Sequence, residues 1–152
     1  MLKNKIKVLN NTNALTYNIN HPFKSILLHV CNDCGVMGSG IALQISNKFP
    51  SAYTNYKLSC KLGTVSYDDN KKVANLVAQR LYIGYNKDCY KGKRYINYGS
   101  LVRCFYALDI NEDVEIIIPY NMGSDRAGGN FKIILELLIE FFPLNTITIC
   151  KL

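Results

Sequence analysis

The chain has 152 residues, of which 49% are hydrophobic and 19% charged. That length suits one domain, which we expect to span residues 1–152, and that apolar content excludes a disordered chain. The net charge of +7 is compatible with nucleic acid, an anionic membrane or a phosphorylated small molecule, but the basic residues are scattered, which favours a small anion.

Hydrophobic periodicity predicts alternating strands and helices along the chain. In chain order it predicts a strand at 5–9, a strand at 26–30, a helix at 37–49 that ends at Pro50, and a short helix at 51–60. It continues with strands at 63–67 and 73–78, a surface loop at 84–94, a helix at 95–110, a strand at 114–118, a helix at 131–142 and a strand at 146–150. This order predicts the α/β class, with a mixed central sheet covered by helices on both faces.

The six cysteines are compatible with disulfides or a metal site, and their context decides between these. No apolar signal segment follows residues 1–5, and no apolar stretch is long enough to span a bilayer. We therefore expect reduced thiols, a cytoplasmic location and no membrane partner. Cys31 and Cys34 form a CxxC pair, but no second pair accompanies it, so we expect neither a metal nor a cofactor.

Two glycine-rich segments each follow a predicted buried strand. The first is residues 29–42, HVCNDCGVMGSGIA, and the second is residues 119–131, PYNMGSDRAGGNF. In open α/β sheets ligands collect at the carboxyl ends of strands, and glycines let backbone N–H groups approach an anion. The sequence therefore predicts two loops that converge on a pyrophosphate. Neither segment is a Walker A or GxGxxG motif.

Asn32, the run GVMGSGIA at 35–42, Gly123-Ser124 and the run AGG at 127–129 together resemble a macro domain of the Appr-1-p processing family. More narrowly, the chain resembles the branch of the yeast-type ADP-ribose 1''-phosphate phosphatases and the terminal ADP-ribose protein glycohydrolase, which has phage and viral relatives. The resemblance runs from about Leu9 to Leu152. It implies a three-layer α/β/α sandwich that binds ADP-ribose in a cleft over the sheet.

The resemblance also implies which residues contact the substrate. In the first segment they are Asn32, Gly35, Val36, Met37, Gly38, Ser39, Gly40 and Ile41. In the second they are Asn121, Met122, Gly123, Ser124, Arg126 and Ala127, and Leu152 is expected near the adenosine. We expect Asn32 to contact the distal ribose, because its amide both donates and accepts hydrogen bonds. Tyr120 is a candidate for stacking on that ribose.

Two residues are candidates for catalysis. His29 matches a histidine of the phosphatase relatives, and Asp125 stands in the predicted anion loop, where it is a candidate general base. The alternatives are that His29 is a core histidine and that Asp125 caps a turn or pairs with Arg126. The glycohydrolase relative's lysine nucleophile matches Gln79, so a lysine adduct is not expected.

The main hypothesis is an enzyme, an ADP-ribose 1''-phosphate phosphatase in which His29 and Asp125 assist the attack of water without a metal. One alternative is an ADP-ribosyl hydrolase that acts on ADP-ribosylated protein or nucleic acid. Another is a non-catalytic ADP-ribose-binding module or metabolite sponge. We expect a monomer. The Asn-, Lys- and Ile-rich composition is typical of an AT-rich genome, compatible with a phage or virus and hence with the host cytoplasm.

Overall fold

The computed structural model describes residues 5–80, 95–124 and 127–152. The strands in these ranges are β1 Ile6–Asn10, β2 Ser25–Asn32, β3 Val65–Tyr67, β4 Val73–Gln79, β5 Glu115–Pro119 and β6 Ile147–Lys151. The helices are α1 Ala14–Asn20, α2 Gly40–Lys48, α3 Pro50–Leu58, α4 Tyr98–Ala107 and α5 Phe131–Phe141. The surface loop predicted at 84–94 lies outside the described residues.

The strands form one sheet in the order β1-β6-β5-β2-β4-β3. The first five strands in that order pair in parallel, and β3 joins the edge antiparallel to β4. Strands β2, β4 and β5 lie inside the sheet, which explains their nearly uninterrupted apolar sequences, because strands inside a parallel sheet are buried on both faces.

The helices lie in two layers, one on each face of the sheet. Side chains such as Leu28 and Ile118 pack against α4 and α5 on one face. Their neighbours along the strands, Leu27 and Ile117, point to the other face and pack with residues of α1, α2 and α3. The predicted three-layer α/β/α sandwich with a mixed sheet is therefore confirmed.

Three details of the predicted order need correction. Helix α1 was not predicted, because it has only seven residues and its sequence, ALTYNIN, is half polar. Helix α2 begins at Gly40 and not at residue 37, so the residues between β2 and α2 form a loop. Pro50 does more than end α2, since it occupies the first turn of α3, where a missing N–H costs nothing.

The described cysteines are all free thiols, namely Cys31, Cys34, Cys60, Cys104 and Cys150. Burial raises the pKa of Cys104 to about 12 and that of Cys150 to about 11, so both stay protonated at neutral pH. Among the described residues, no helix combines the length and apolar character needed to cross a membrane.

A buried polar contact joins β2 to β4 beneath α3. The side-chain N–H₂ of Asn75 donates to the carbonyl of Ala52 and to the hydroxyl of Ser66, each at 3.0 Å. These bonds leave Asn75 Oδ1 facing His29 Nε2 at 2.6 Å, so Nε2 carries the ring hydrogen. His29 is only 1% exposed, and burial lowers its pKa to about 4 despite the opposing effect of the Asn75 bond.

The turn between β3 and β4 is held by a buried carboxylate. Asp68 Oδ1 accepts the backbone N–H groups of Lys72 and Val73, at 2.7 and 2.6 Å. Its Oδ2 accepts the N–H of Asn70 at 3.2 Å. The turn passes through Lys71 at a φ of 55°, so these bonds stabilise an otherwise unfavourable conformation.

We expect Asp68→Ala to lower the free energy of unfolding by about 3 kcal/mol, because it leaves buried backbone donors without an acceptor. Asp68→Asn keeps the Oδ1 acceptor and should cost about 1 kcal/mol. Urea unfolding followed by circular dichroism measures both variants. Equal losses in the two variants would contradict the role given to Oδ1.

The buried His29 should make stability depend on pH. The unfolded chain protonates this ring below its ordinary pKa of 6.5, whereas the folded protein does so only near pH 4. Stability should therefore fall as the pH drops through this window, by up to about 1.4 kcal/mol per pH unit. His29→Gln keeps a donor towards Asn75 without titrating. We expect its unfolding free energy, measured in urea between pH 7 and 4.5, to fall less steeply than that of the wild type, and parallel profiles would contradict this.

Candidate functional site

A cleft of about 610 Å³ opens where β2, β4 and β5 end. Both glycine-rich segments border it. We call residues 33–39 the first loop and residues 120–130 the second loop. The lining residues are His29, Val30, Cys31, Asn32, Val36, Gly38, Ser39, Gly40, Ile41, Ala42, Gln79, Pro119, Tyr120, Asn121, Met122, Gly123 and Ala127. The expected convergence of the two loops on one groove is therefore present in the structure.

The topology of the sheet explains why the cleft lies here. Strands β2 and β5 are neighbours, but the chain leaves them in opposite directions. After β2 it enters α2 on one face, and after β5 it enters α5 on the other. Such a switch point leaves a crevice beyond the carboxyl ends of the strands, where ligands of α/β proteins collect.

The N-terminus of α2 faces this cleft without a side-chain cap. The first N–H groups of a helix have no partner within the helix. In α1, α4 and α5 an asparagine side chain, that of Asn13, Asn97 or Asn130, accepts from one of them. Ser39 makes no such bond at α2, and the first turn, 40–42, lines the cleft. An anion in the cleft would therefore meet the first N–H groups of a helix that has no side-chain cap, and the positive end of its dipole.

The second loop approaches the sheet closely through Gly123. This residue has a φ of +73°, and a Cβ there would lie 2.9 Å from Cδ1 of Ile134 and 3.1 Å from Cδ1 of Ile96. A larger residue would require these side-chain ends to move and would be strained by the positive φ. Asn121 also has a positive φ, of 64°, and its carbonyl accepts the N–H and hydroxyl of Ser124, both at 2.9 Å. The loop is thus a tight turn with its backbone against the cleft.

Asn32 lines the cleft, but its amide is bound to the first loop itself. Oδ1 accepts the N–H groups of Cys34 at 3.0 Å and Val36 at 3.3 Å, and Nδ2 donates to the carbonyl of Val36 at 2.9 Å. The hydroxyl of Tyr56 lies a further 2.7 Å from Oδ1. The contact to the distal ribose that we expected would have to share an oxygen that already has three neighbouring donors.

Two predicted substrate contacts of the first loop lie outside the cleft lining. Met37 points into the protein, where it packs against Tyr56 and Val77. The N–H of Gly35 donates to the hydroxyl of Tyr56 at 3.1 Å and is therefore not available to a ligand. Both residues turn towards α3 because the loop curls back over that helix before it enters α2.

Other predicted contacts also differ in position. Ser124 is outside the cleft lining, and its hydroxyl is used within the second loop. Leu152 is 84% exposed and does not line the cleft. Asp125 and Arg126, predicted as a catalytic and a binding residue, lie outside the described residues. Of the second loop's predicted contacts, Asn121, Met122, Gly123 and Ala127 do line the cleft.

Some lining residues were not predicted as substrate contacts. Four of them lie in the last residues of β2, β4 or β5, and this position at the strand ends could have identified them: Val30, Cys31, Gln79 and Pro119. The fifth, Ala42, lies in the first turn of α2. Tyr120, a candidate in the sequence, is 42% exposed at the cleft. Its ring meets that of Phe131 edge-on at 5.3 Å, and the ammonium group of Lys151 lies 4.7 Å from its centre. Tyr120 thus has a fixed orientation at the β6 side of the cleft.

The described lining carries no Asp, Glu, Lys or Arg side chain. His29 and Cys31 lie close together, with Cys31 Sγ 3.5 Å from His29 Nε2, but burial raises the pKa of the thiol and lowers that of the imidazole. Both groups are therefore neutral. The position of His29 gives no support to the catalytic role predicted for it, because its Nε2–H is bound to Asn75. The described residues also hold no group of three metal-binding side chains.

Comparison of the sequence with known proteins finds one local similarity and no family profile that matches. Over 40 residues, or 26% of this chain, it is 45% identical to the DNA ADP-ribosyl glycohydrolases of Mycobacterium tuberculosis and Mycobacterium bovis. The matched stretch covers only 11% of the length of those relatives.

Solved structures resemble this one over nearly the whole chain. A Bacteroides thetaiotaomicron protein of unknown function has a TM-score of 0.78 at 24% identity, covering 98% of this chain and 99% of that one. The macrodomain of Mycobacterium tuberculosis DarG has a TM-score of 0.65 at 21% identity, covering 98% and 99%. Thermosipho africanus DarTG in complex with ADP-ribose has a TM-score of 0.66 at 13% identity, covering 99% and 43%. The chain therefore has the fold of the macrodomains.

Proposed function

We propose that the cleft binds ADP-ribose and that the chain hydrolyses the bond at C1'' of the distal ribose of an ADP-ribosylated substrate. This proposal rests on the N-terminus of α2, which has no side-chain cap and lies in the cleft between the first and second loops. The N–H groups and the positive dipole at such a helix end stabilise the negative charge of a diphosphate. The similarity of the fold to the solved structure of Thermosipho africanus DarTG in complex with ADP-ribose supports the same ligand for this chain.

The chemistry of the lining suits a diphosphate held by neutral donors. Among the described lining residues no lysine or arginine is present, so the ligand's charge would be balanced by amide dipoles and the helix end. The cleft volume of about 610 Å³ lies within the range that encloses small-molecule ligands.

ADP-ribosylated DNA is the first candidate substrate. The 45% identity over 40 residues is to DNA ADP-ribosyl glycohydrolases, and the net charge of +7 is compatible with a polyanionic substrate. In this reaction the oxygen of water bonds to C1'', the glycosidic bond breaks, and the leaving group takes a proton. Asp125, which follows Ser124 in the sequence of the second loop, is the carboxylate that we assign to activate that water.

Release of phosphate from ADP-ribose 1''-phosphate is the second candidate, and it rests on the resemblance of the two loops to the phosphatase branch. The same cleft would hold the ADP-ribose part, and Asp125 would again activate the water. The arrangement of His29 leaves this reaction without the second assisting group that the sequence predicted.

A carboxylate introduced into the cleft should abolish binding of the diphosphate. Gly38 lines the cleft, and a Cβ there meets only Cγ1 of Val36, at an ordinary 3.5 Å. We expect Gly38→Glu to weaken ADP-ribose binding at least about tenfold more than the neutral Gly38→Gln, because like charges repel. Isothermal titration calorimetry measures both, with Gly99→Glu in α4 as a control that leaves affinity unchanged. Equal affinities of the Glu and Gln variants would contradict an anion site here.

Hydrolysis should depend on Asp125. We expect Asp125→Asn to lower kcat on an ADP-ribosylated oligonucleotide by about 100-fold or more, since the amide cannot accept a proton from water. Asp113→Asn, an exposed residue paired with Lys24 far from the cleft, is the matched control. Release of ADP-ribose is followed by chromatography, and phosphate release from ADP-ribose 1''-phosphate is measured in parallel. Tight ADP-ribose binding by a wild type that converts neither substrate would overturn the hydrolase proposal and leave a binding module.

A further inference from the structure

Tyr56 is a buried phenol whose hydrogen-bond partners all belong to the segment around the first loop. It lies in α3, is 0% exposed, and packs with Cys31, Met37 and Val77. A buried hydroxyl is normally hydrogen-bonded, because leaving it unpaired is costly. The aromatic ring alone would fill this part of the core, so the hydroxyl needs a separate explanation.

The contacts of the hydroxyl match what a phenol can donate and accept. Its single hydrogen points towards Asn32, whose backbone carbonyl lies 2.5 Å and whose Oδ1 lies 2.7 Å from the phenol oxygen. The same oxygen accepts the N–H of Gly35 at 3.1 Å. Tyr56 therefore binds the chain at the end of β2 and again three residues later, across the start of the first loop.

Asn32 transmits this constraint further along the loop. Its amide binds the N–H of Cys34 and both the N–H and the carbonyl of Val36. The register between β2 and β4 shifts between Cys31 and Asn32, and the pairing ends where the N–H of Asp33 donates to the carbonyl of Gln79 at 2.9 Å. Beyond this bond, the side chains of Asn32 and Tyr56 hold the backbone of the first loop.

We propose that Tyr56 is a positioning residue for ADP-ribose binding, acting through Asn32 and Gly35 to hold the first loop so that residues 38–42 face the cleft. This inference rests on the proposed function for its ligand. Tyr56 itself does not line the cleft, and its effect on the ligand is therefore indirect. Because the loop is held before the ligand arrives, binding avoids the entropy cost of ordering it.

The protonation state of the phenol is consistent with this role. Burial, followed by the nearby Cys31 thiol, raises the pKa of Tyr56 well above its ordinary value. The hydroxyl therefore keeps the hydrogen that it donates to Asn32 throughout the pH range in which the protein is folded.

The test removes the hydroxyl and keeps the ring. Tyr56→Phe should raise the Kd for ADP-ribose about tenfold in titration calorimetry, as expected for the loss of a buried hydrogen-bonding group. Tyr53→Phe is the matched control, because Tyr53 stacks on Tyr56 from the same helix and its hydroxyl is not a partner in the bonds that Tyr56 makes to Asn32 and Gly35. We expect its Kd to be unchanged. All measurements are made where circular dichroism shows the variants fully folded.

Two further measurements separate positioning from general packing. In a double-mutant cycle, the affinity lost by Tyr56→Phe combined with Asn32→Ala should be smaller than the sum of the two single losses, because the two side chains share one contact, while the bonds of Tyr56 to Gly35 and to the Asn32 carbonyl do not involve the Asn32 side chain. Additive losses would overturn the route through Asn32. Amide hydrogen exchange, measured by NMR without ligand, should speed up at Cys34, Gly35 and Val36 in Tyr56→Phe and not in Tyr53→Phe.

The outcomes distinguish this inference from the proposed function. If the wild type does not bind ADP-ribose, the proposed function fails, and the exchange rates alone decide whether Tyr56 holds the loop. Unchanged exchange at the three amides would overturn the positioning role. Faster exchange with an unchanged Kd would also overturn it, since the loop would then be held for a reason other than the ligand.

Discussion

The N-terminus of α2, which has no side-chain cap, is the constraint on which the cleft depends. A helix end needs acceptors for its first N–H groups, and three other helices of the described chain obtain one from an asparagine. At α2 the corresponding Ser39 makes no capping bond, and the first turn opens into the cleft. The positive end of the helix dipole therefore points into the cleft without a side-chain cap at Ser39. An anionic ligand would complete the helix, which links the stability of this end to binding.

Buried polar groups hold the surroundings of that helix end in place. On the α2 and α3 side of the sheet, Tyr56 ties the first loop to α3, and Asn75 ties β4 to His29 of β2 and to Ala52 of α3. On the other side Gly123, with its positive φ, lets the second loop pass close to Ile134 of α5. Each contact fixes backbone around the cleft, and Tyr56 and Asn75 do so without lining the cleft themselves.

Much of the fold and of the site could be predicted from local pattern. The apolar runs of β2, β4 and β5 indicated buried parallel strands, and the two glycine-rich segments indicated loops at their carboxyl ends. The missed element was α1, whose seven residues, ALTYNIN, mix polar and apolar side chains without a clear period. Within the first loop, Met37 and Gly35 were assigned to the ligand because they lie in the motif, but the loop's curl turns them towards Tyr56.

The sequence by itself determined the class of fold, the strands that form the interior of the sheet and the two segments that border the cleft, because hydrophobic periodicity and glycine content are local properties. Only the tertiary structure decided which atoms of those segments face the cleft. Asn32 and His29 show why. Both side chains are polar and lie beside the loops. However, Asn32 is bound by Tyr56, 24 positions away, and His29 is bound by Asn75, 46 positions away. Contacts over such separations arise from the packing of α3 and β4 against β2, and no local pattern records them.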